Sequence, residues 1–165
     1  MNRPVTFPAP EHDHRSCVRD ALESAAEHCA KSGARLTKLR RHVLELVWGS
    51  HAPVGAYALL DALRAEGQSA APPTVYRALD FLMEQGLIHR VESLNAYIGC
   101  AHPEAPHTAL LLLCTGCGRA AEFEDRGVDE KLRRAAAARG FAVAHQTIEV
   151  EGLCPDCRGE AAPQA

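Results

Sequence analysis

Two pairs of cysteines in the second half of the chain have a spacing that suits a metal ion. Cys114 and Cys117 are separated by two residues, and so are Cys154 and Cys157. Each pair is predicted to follow a strand, so that a turn brings both sulfurs to one point. Four thiolates at this spacing form a closed tetrahedral site, which zinc accepts without redox chemistry. We therefore predict a structural zinc site that contributes to the folding of a small domain.

Disulfide exchange is the alternative chemistry for these cysteines. A reactive dithiol needs a lowered thiol pKa, usually at the amino terminus of a helix. Here both pairs are expected at the ends of strands, followed by Gly118 and Arg158, and not at the amino terminus of a helix. No nucleophile–base pair or phosphate-binding loop accompanies the cysteines, so the sequence does not predict an enzyme. A chelator assay separates the two interpretations, because a redox dithiol titrates without releasing metal.

A second set of metal-ligating residues is more widely spaced. It comprises His89, Cys100, His107 and Glu122. Imidazole, thiolate and carboxylate together suit zinc, whereas the thiolate disfavours manganese or magnesium and, less strongly, ferrous iron. Spacing alone does not bring these four residues together, because they span the boundary between two predicted domains.

Composition limits the class of protein. The chain has 165 residues, is 47% hydrophobic and contains seven cysteines and nine histidines. This length buries one or two small cores, the hydrophobic content is too high for a disordered chain, and no apolar run approaches the length of a membrane span. The beginning of the sequence lacks the apolar region of a secretory signal, which favours a cytoplasmic location where cysteine pairs more often bind metal than form disulfides.

The first half of the chain is predicted to be helical. After a flexible tail over residues 1–14, apolar residues at helical spacing predict helices over 16–31, 38–48, 56–65 and from Pro72 to Gly86. Two short strands, Leu87–Glu92 and Ala96–Cys100, follow as a hairpin that turns at Ser93–Asn95. Helices followed by a hairpin predict a winged-helix DNA-binding domain over 15–100, with a hinge at its end. Such a domain places its last helix in the major groove.

Charge and helical projection agree with a nucleic-acid partner for this half. Residues 31–90 contain 8 Lys and Arg against 5 Asp and Glu, although the whole chain has a net charge of −3. In the last helix Arg77 lies nearly opposite the apolar stripe and is predicted to point outward. A core helix with a solvated polar face explains this segment equally well when the segment is considered alone.

The second half is predicted to form a small α/β domain over 101–165, so that the whole protein is of the α+β class. Strands are expected over Thr108–Leu113, Ala120–Glu124 and Phe141–Val150, with a helix over Val128–Arg139. The predicted helix Val128–Arg139 is too short to cover the apolar run Ala109–Leu113 well. We therefore expect the sheet to pack against a second copy in a homodimer.

Several motifs together resemble the ferric uptake regulator family over about Gly33 to Arg158. They are Arg35-Leu36-Thr37 before a helix, Ala56-Tyr57-Ala58-Leu59-Leu60, Pro72 to Leu79, Gly86-Leu87-Ile88-His89 and the two cysteine pairs. Within that family, the segment from His89 to Ser93, Cys100 and His107-Thr108 are most similar to the zinc uptake regulators. The iron sensors of the family carry a histidine-rich segment before the first cysteine pair, whereas this chain has only Ala105-Pro106-His107-Thr108.

This resemblance implies a dimeric, metal-activated repressor that binds a palindromic DNA operator and controls zinc uptake genes. It implies two zinc ions per chain, a structural one on the four cysteines and a regulatory one on His89, Cys100, His107 and Glu122. No membrane and no small-molecule substrate is implied. Two alternatives remain open: an iron- or other metal-responsive member of the family, and a constitutive zinc-stabilised DNA-binding protein.

DNA contacts are expected from the last helix and from the residues before it. Arg77 is the candidate for a bidentate contact with a guanine edge, Tyr76 for a phosphate or a thymine methyl group, and Thr74 for a phosphate. Tyr57 resembles a DNA-contacting position of the family, with core packing as its alternative. Arg35 and Lys38 could reach the DNA backbone or the minor groove.

Four further residues with metal-binding side chains have no assigned role. His102 and His145 are left unsettled, because some relatives place a ligand near His145. Cys17 and Cys29 fall about 120° apart around the first predicted helix and cannot form a local pair. Both are expected to be unpaired thiols, with Cys29 buried.

Overall fold

The computed structural model describes residues 7, 13–104 and 107–159. These residues form two compact units: an amino-terminal unit of residues 13–104 and a carboxy-terminal unit of residues 107–159 together with Phe7. Most of the tail expected over residues 1–14 lies outside the described residues. Within the part of the chain that is described, no helix combines the length and apolar character needed to cross a bilayer.

Four helices make up most of the amino-terminal unit: α1 (His14–Ser32), α2 (Lys38–Trp48), α3 (Ala56–Ala65) and α4 (Pro72–Glu84). Capping residues in the sequence fix where the first two begin. The Asp13 side chain accepts a hydrogen bond from the Arg15 amide, and Thr37 accepts one from the Arg40 amide. Two prolines open α4, where the first amides need no partner within the helix.

Apolar stripes of the four helices meet in one core. Buried side chains come from every helix, and they include Leu22, Ala25, Cys29, Val43, Leu44, Val47, Leu59, Leu63, Val75, Leu79 and Leu82. The helical spacing of these residues is the reason why α1 to α4 pack with polar faces outward. The expected burial of Cys29 is confirmed.

A three-stranded antiparallel sheet completes this unit and forms the wing. Its strands are β1 (Val54–Gly55), β2 (Ile88–Val91) and β3 (Ala96–Gly99), in the order β1-β3-β2. Asn95 has a positive φ of 46° in the β2–β3 turn, a conformation that asparagine tolerates. The predicted hairpin is confirmed, and the two-residue strand β1 adds an edge that the sequence did not predict.

The carboxy-terminal unit contains β4 (Ala109–Cys114), β5 (Ala120–Phe123), α5 (Arg126–Ala137), β6 (Thr147–Gly152) and the short helix α6 (Pro155–Arg158). Its sheet has the order β5-β4-β6, with β5 antiparallel and β6 parallel to the central strand β4. The α+β class, with a winged helix followed by an α/β domain, is confirmed.

The third strand of this unit begins later than the sequence predicts. The expected strand over Phe141–Val150 is wrong for residues 141–146, which are irregular, and β6 continues to Gly152. The turn after α5 holds Gly140 in the left-handed conformation, and the Phe141 amide still donates to the carbonyl of Ala136. Regular pairing starts only where Thr147 meets Ala109, the first residue of β4.

Candidate metal centres and nucleic-acid surface

The carboxy-terminal unit brings the four predicted structural cysteines together. Cys114 ends β4, Cys117 lies in the following turn, and Cys154 and Cys157 lie at the start and within α6. Their sulfur atoms all lie within 4.8 Å of one another, and the sulfurs of Cys117 and Cys154 are 3.8 Å apart. Four sulfurs at the usual bond length around a tetrahedral zinc are about 3.8 Å apart. The arrangement fits a zinc site made of four cysteines.

The second cysteine pair is positioned differently from the expectation. It lies on a four-residue helix rather than simply at a strand end, because Pro155 favours the first position of a helix after Cys154. The Cys154 amide donates to the sulfur of Cys114 over 3.3 Å. Across the site, a Cβ atom on Gly116 would lie 2.9 Å from the Cys157 sulfur. Glycine at position 116 therefore permits the close approach of the two halves.

Electrostatics in this cluster favour a bound cation. Backbone amides, first that of Cys154, donate to the Cys114 sulfur and lower the pKa of this thiol to about 6. A hydrogen bond from the Arg119 guanidinium lowers the pKa of Cys117. Thiol hydrogen bonds, first with Cys114, raise the pKa of Cys157 to about 12. Four thiolates at this distance repel one another, and a divalent cation removes that repulsion.

Arg119 is a supporting residue that the sequence did not identify. Its guanidinium lies 3.1 Å from the sulfur of Cys117 and 3.5 Å from that of Cys154, and it also pairs with Asp156. It thereby links the turn after β4 to α6. A cation two residues after a Cys-x-x-Cys pair was the available signal, but its partner Asp156 is distant in sequence.

Two of the four predicted regulatory ligands meet in the carboxy-terminal unit. His107 precedes β4 and Glu122 lies on the neighbouring strand β5. The His107 Nε2 atom is 2.6 Å from Glu122 Oε1, and the two side chains are only 13% and 3% exposed. The 2.6 Å distance is that of a hydrogen bond, shorter than the roughly 3.3 Å between two ligand atoms on one tetrahedral zinc, and the two side chains carry the donor atoms of a partial metal site.

A polar network holds the chain next to His107. The carboxylate of Asp129 on α5 accepts hydrogen bonds from the Thr108 hydroxyl, at 2.7 Å, from Gln146 and from Arg133. The Thr108 hydrogen bond is the main cause of a lowered pKa for Asp129. The network ties α5 to the start of β4. It joins residues from three separate segments, so spacing in the sequence gave no indication of it.

The other two predicted regulatory ligands meet in the amino-terminal unit. His89 lies on β2, and Cys100 directly follows β3, where its amide donates to the carbonyl of Leu87. Their ligand atoms lie within 4.8 Å of each other. Both side chains are at least half-buried, Cys100 almost fully. Each unit therefore carries one pair of metal-ligating side chains at an end of its sheet.

The unsettled histidines have other neighbours. The His102 ring lies 3.6 Å from the carboxylate of Glu104, and its amide donates to the Cys100 sulfur. The exposed His145 ring is 3.3 Å from the Thr147 hydroxyl. Among the described residues, neither histidine belongs to a cluster of three or more metal-ligating side chains.

The predicted DNA-contacting residues lie on the surface of the amino-terminal unit. Tyr76 and Arg77 are exposed on α4, and Tyr57 is 68% exposed, which rules out the core alternative for Tyr57. Arg35 and Lys38 are exposed before and at the start of α2. A surface cleft of about 400 Å³ is lined by Arg35, Thr37, Leu39, Arg40, Thr74, Arg77 and Ala78.

Arg40 is a third arginine of this cleft and was not among the predicted residues. Its guanidinium donates to the Arg35 carbonyl over 2.7 Å and lies 3.6 Å above the Phe81 ring. A cation held over an aromatic ring keeps its charge while its position is restricted. Arg40 therefore orders the segment that presents Arg35 and adds positive charge beside α4.

Comparison with known proteins agrees with these features. The profile of the ferric uptake regulator family matches residues 31–151. The zinc uptake regulation protein of Escherichia coli K12 is 42% identical over 144 residues, which are 87% of this chain and 84% of that protein. The zinc uptake regulation protein of Mycobacterium tuberculosis is 31% identical over 77% of this chain and 97% of its own length.

Solved structures give the same result. A zinc uptake regulator in complex with zinc and DNA matches with a TM-score of 0.81 and 43% identity, over 86% of this chain and 95% of that one. The holo form of XcZur matches with a TM-score of 0.77 and 46% identity, over 87% and 98% of the two chains. The family profile covers well over half of the sequence, and the chain belongs to the ferric uptake regulator family.

Proposed function

We propose that this protein is a zinc-responsive transcriptional repressor, which acts in the cytoplasm as a homodimer on a palindromic operator of zinc uptake genes. The observation that carries the proposal is the pair of metal-ligating side chains on each unit: His89 with Cys100, and His107 with Glu122. Relatives that are named zinc uptake regulation proteins, and a zinc uptake regulator solved with zinc and DNA, support the same function.

The donor atoms favour zinc as the regulatory metal. Two imidazoles, one thiolate and one carboxylate form the proposed set, and a thiolate suits zinc better than manganese or magnesium. We assign the structural role to the cysteine cluster of Cys114, Cys117, Cys154 and Cys157, which lies wholly within one unit. The proposal therefore requires two zinc ions per chain with different exchange behaviour.

Regulation follows from the distribution of the regulatory ligands over both units. A zinc ion that takes ligands from His89 and Cys100 as well as from His107 and Glu122 would restrict the angle between the units. That angle sets the separation of the two α4 helices in a dimer. DNA with correctly spaced half-sites then binds the restricted form more tightly than the unrestricted one.

The charged cleft and the exposed residues around α4 support the DNA contacts. Arg77 is proposed to read a guanine edge, while Tyr76 and Thr74 contact the backbone or a thymine methyl group. Arg35, Lys38 and Tyr57 add contacts outside the helix. Three arginines around one cleft concentrate positive charge, although the whole chain carries a net charge of −3.

Exposed apolar side chains in the carboxy-terminal unit support dimerisation. They lie on α5, on β6 and beside them, and comprise Val128, Leu132, Phe141, Val150 and Leu153. Five of the six residues of β4 are already buried within the chain, so this strand leaves little apolar surface for a second copy. The dimer contact is proposed to use the exposed set instead.

Footprinting tests the function. A palindromic duplex is selected from random DNA with the zinc-loaded protein, and protection is then measured before and after a chelator removes the exchangeable zinc. Protection should disappear while the zinc on the four cysteines stays bound. Unchanged protection would indicate a constitutive DNA-binding protein and would overturn the proposal.

Two histidine variants of the same unit sharpen this test. His107→Ala removes a proposed regulatory ligand and should abolish zinc-dependent protection without loss of the structural zinc. His145→Ala removes an exposed histidine outside the ligand clusters and should leave protection unchanged. Equal zinc-dependent protection by the two variants would show that His107 is not a regulatory ligand.

A further inference from the structure

The amino-terminal unit contains a cluster of metal-ligating side chains apart from the two proposed zinc sites. Nitrogen atoms of His14 and His51 and the sulfur of Cys17 all lie within 4.8 Å of one another. The two imidazole rings are 4.4 Å apart at an angle of 63°. All three residues are partly buried. The sequence did not predict this cluster, and it left Cys17 without a role.

Local structure holds two of the three side chains on one helix face. Asp13 caps α1 and accepts a hydrogen bond from the Arg15 amide, so that His14 is the first helical residue. Cys17 is three residues later, and residues with this spacing are neighbours on a helix surface. Both nitrogen atoms of His14 are shielded from solvent. The helix start therefore points an imidazole and a thiol in the same direction.

The third side chain comes from the connection between α2 and β1. The Gly49 amide donates to the Leu46 carbonyl at the end of α2, and the Ser50 hydroxyl accepts a hydrogen bond of 2.8 Å from the Ala52 amide. These bonds form a tight turn around His51. The imidazole is thus held by a short, ordered connection.

From this geometry we propose that His14, Cys17 and His51 form a third zinc site. Two imidazoles and a thiolate are zinc ligands of the usual kind, and a site with three protein ligands leaves a fourth position for water. All three ligands belong to the amino-terminal unit, so this site does not depend on the regulatory site. Zinc bound there joins the start of α1 to the connection that leads into the wing sheet.

Metal stoichiometry in the full-length protein tests the proposal. Wild type, His14→Ala, Cys17→Ser and His28→Ala are equilibrated with buffered Zn²⁺ and the bound zinc is counted. His28 lies on the same helix outside the cluster, which makes it a matched control. Wild type and His28→Ala should each bind one more zinc per chain than the other two variants. An equal count in all four proteins would overturn the third site.

Cobalt spectroscopy adds a direct signature of the thiolate ligand. Co²⁺ is added to wild-type protein whose two tighter sites are already filled with zinc. One further equivalent should give a thiolate-to-cobalt absorption band, and that band should be absent in Cys17→Ser. Absence of the band from wild type would overturn the proposal. The difference in bound zinc between wild type and His14→Ala does not depend on DNA binding. Failure of the third zinc site can therefore be distinguished from failure of the proposed repressor function.

Discussion

Gly116 controls how closely the two halves of the four-cysteine cluster approach each other. A Cβ atom at this position would lie 2.9 Å from the Cys157 sulfur and 3.2 Å from the side chain of Leu153. Gly116→Ala should therefore displace Cys157, a proposed zinc ligand. We expect the affinity of the structural site for zinc to fall by about 10- to 100-fold, a range typical of changes around metal ligands. Competition with a chromophoric chelator measures this affinity.

Gly152→Ala is the matched control for this experiment. Gly152 pairs with Cys114 in the same sheet, yet a Cβ there meets no atom within 4 Å, and its backbone conformation does not require glycine. Zinc affinity should stay within about twofold of wild type, since no ligand has to move. A similar loss in both variants would show that the close approach at Gly116 is not the cause.

Arg77 is the residue on which the proposed base recognition depends. It is exposed on α4 and lines the cleft together with Arg35 and Arg40. Arg77→Ala should weaken binding to the selected operator by about 1 to 3 kcal/mol and relax specificity at one base pair. Nonspecific DNA should be affected much less. Fluorescence anisotropy with operator and scrambled duplexes at one fixed salt concentration measures both.

Arg41→Ala provides the comparison, because Arg41 is an exposed arginine that lines a different cavity, between α1 and α2. Its removal should change the affinity for the operator only slightly. If Arg77→Ala weakened operator and scrambled DNA equally, Arg77 would be a phosphate contact rather than a base-reading residue.

The helices were predictable because their signals are local. The predicted bounds of the second and third helices match α2 and α3, where Thr37, Gly49 and the apolar periodicity all lie within a few residues of the helix. The strand β1 has two residues and exists only through pairing with β3, so no pattern along the chain could reveal it. The start of β6 is likewise set by its partner strand β4.

The candidate sites likewise divide into those with a local sequence signal and those that depend on distant segments. The Cys-x-x-Cys spacing identified the four-cysteine cluster, because the two cysteines of each pair are only three positions apart. The supporting pair of Arg119 with Asp156 and the cluster containing Cys17 and His51 join distant segments. These groups can be found only in the folded structure, because their residues are far apart in the sequence and form no motif.

Packing of the wing against α2 depends on a glycine in β3. A Cβ at Gly99 would lie 2.2 Å from the Trp48 ring, so Gly99→Ala must move the indole. Such overpacking typically costs about 1 to 3 kcal/mol. The free energy of unfolding should fall by this amount in urea titrations of the zinc-loaded protein. Fluorescence of Trp48, the single tryptophan, reports on the affected unit.

A double-mutant cycle tests whether the indole is the cause of this loss. In a Trp48→Leu background the ring atoms that oppose position 99 are absent, so the same Gly99→Ala change should cost much less. Unfolding is followed by circular dichroism because the fluorescent probe has been removed. An equal cost in both backgrounds would assign the loss to β3 itself.

Charge is distributed unevenly over the whole molecule. The net charge is −3, while residues 31–90, which contain α2 to α4, have an excess of basic over acidic residues. A cationic surface on one unit is sufficient for DNA binding, and the acidic remainder does not oppose it beyond the screening length of physiological salt. Affinity for DNA should therefore depend on salt through a small number of phosphate contacts in the amino-terminal unit.

Regulation by zinc and binding of DNA are properties of the complete dimer, and thermodynamic linkage relates them. If zinc at His89, Cys100, His107 and Glu122 raises the affinity for the operator by a given factor, the operator raises zinc affinity by the same factor. Coupling of about 1 to 3 kcal/mol corresponds to roughly 5- to 150-fold. Anisotropy with and without exchangeable zinc gives the first factor, and competition with a zinc chelator, with and without operator, gives the second.

The His107→Ala variant supplies the control for this linkage. It retains the proposed DNA-contacting residues and the four-cysteine cluster but lacks one proposed regulatory ligand. Both coupling factors should therefore fall toward one. A scrambled duplex should likewise leave zinc affinity nearly unchanged, because its half-sites do not select the restricted form. If zinc activated DNA binding while the operator left the zinc affinity of this site unchanged, the activating zinc would bind at another site, and the proposed regulatory site would be wrong.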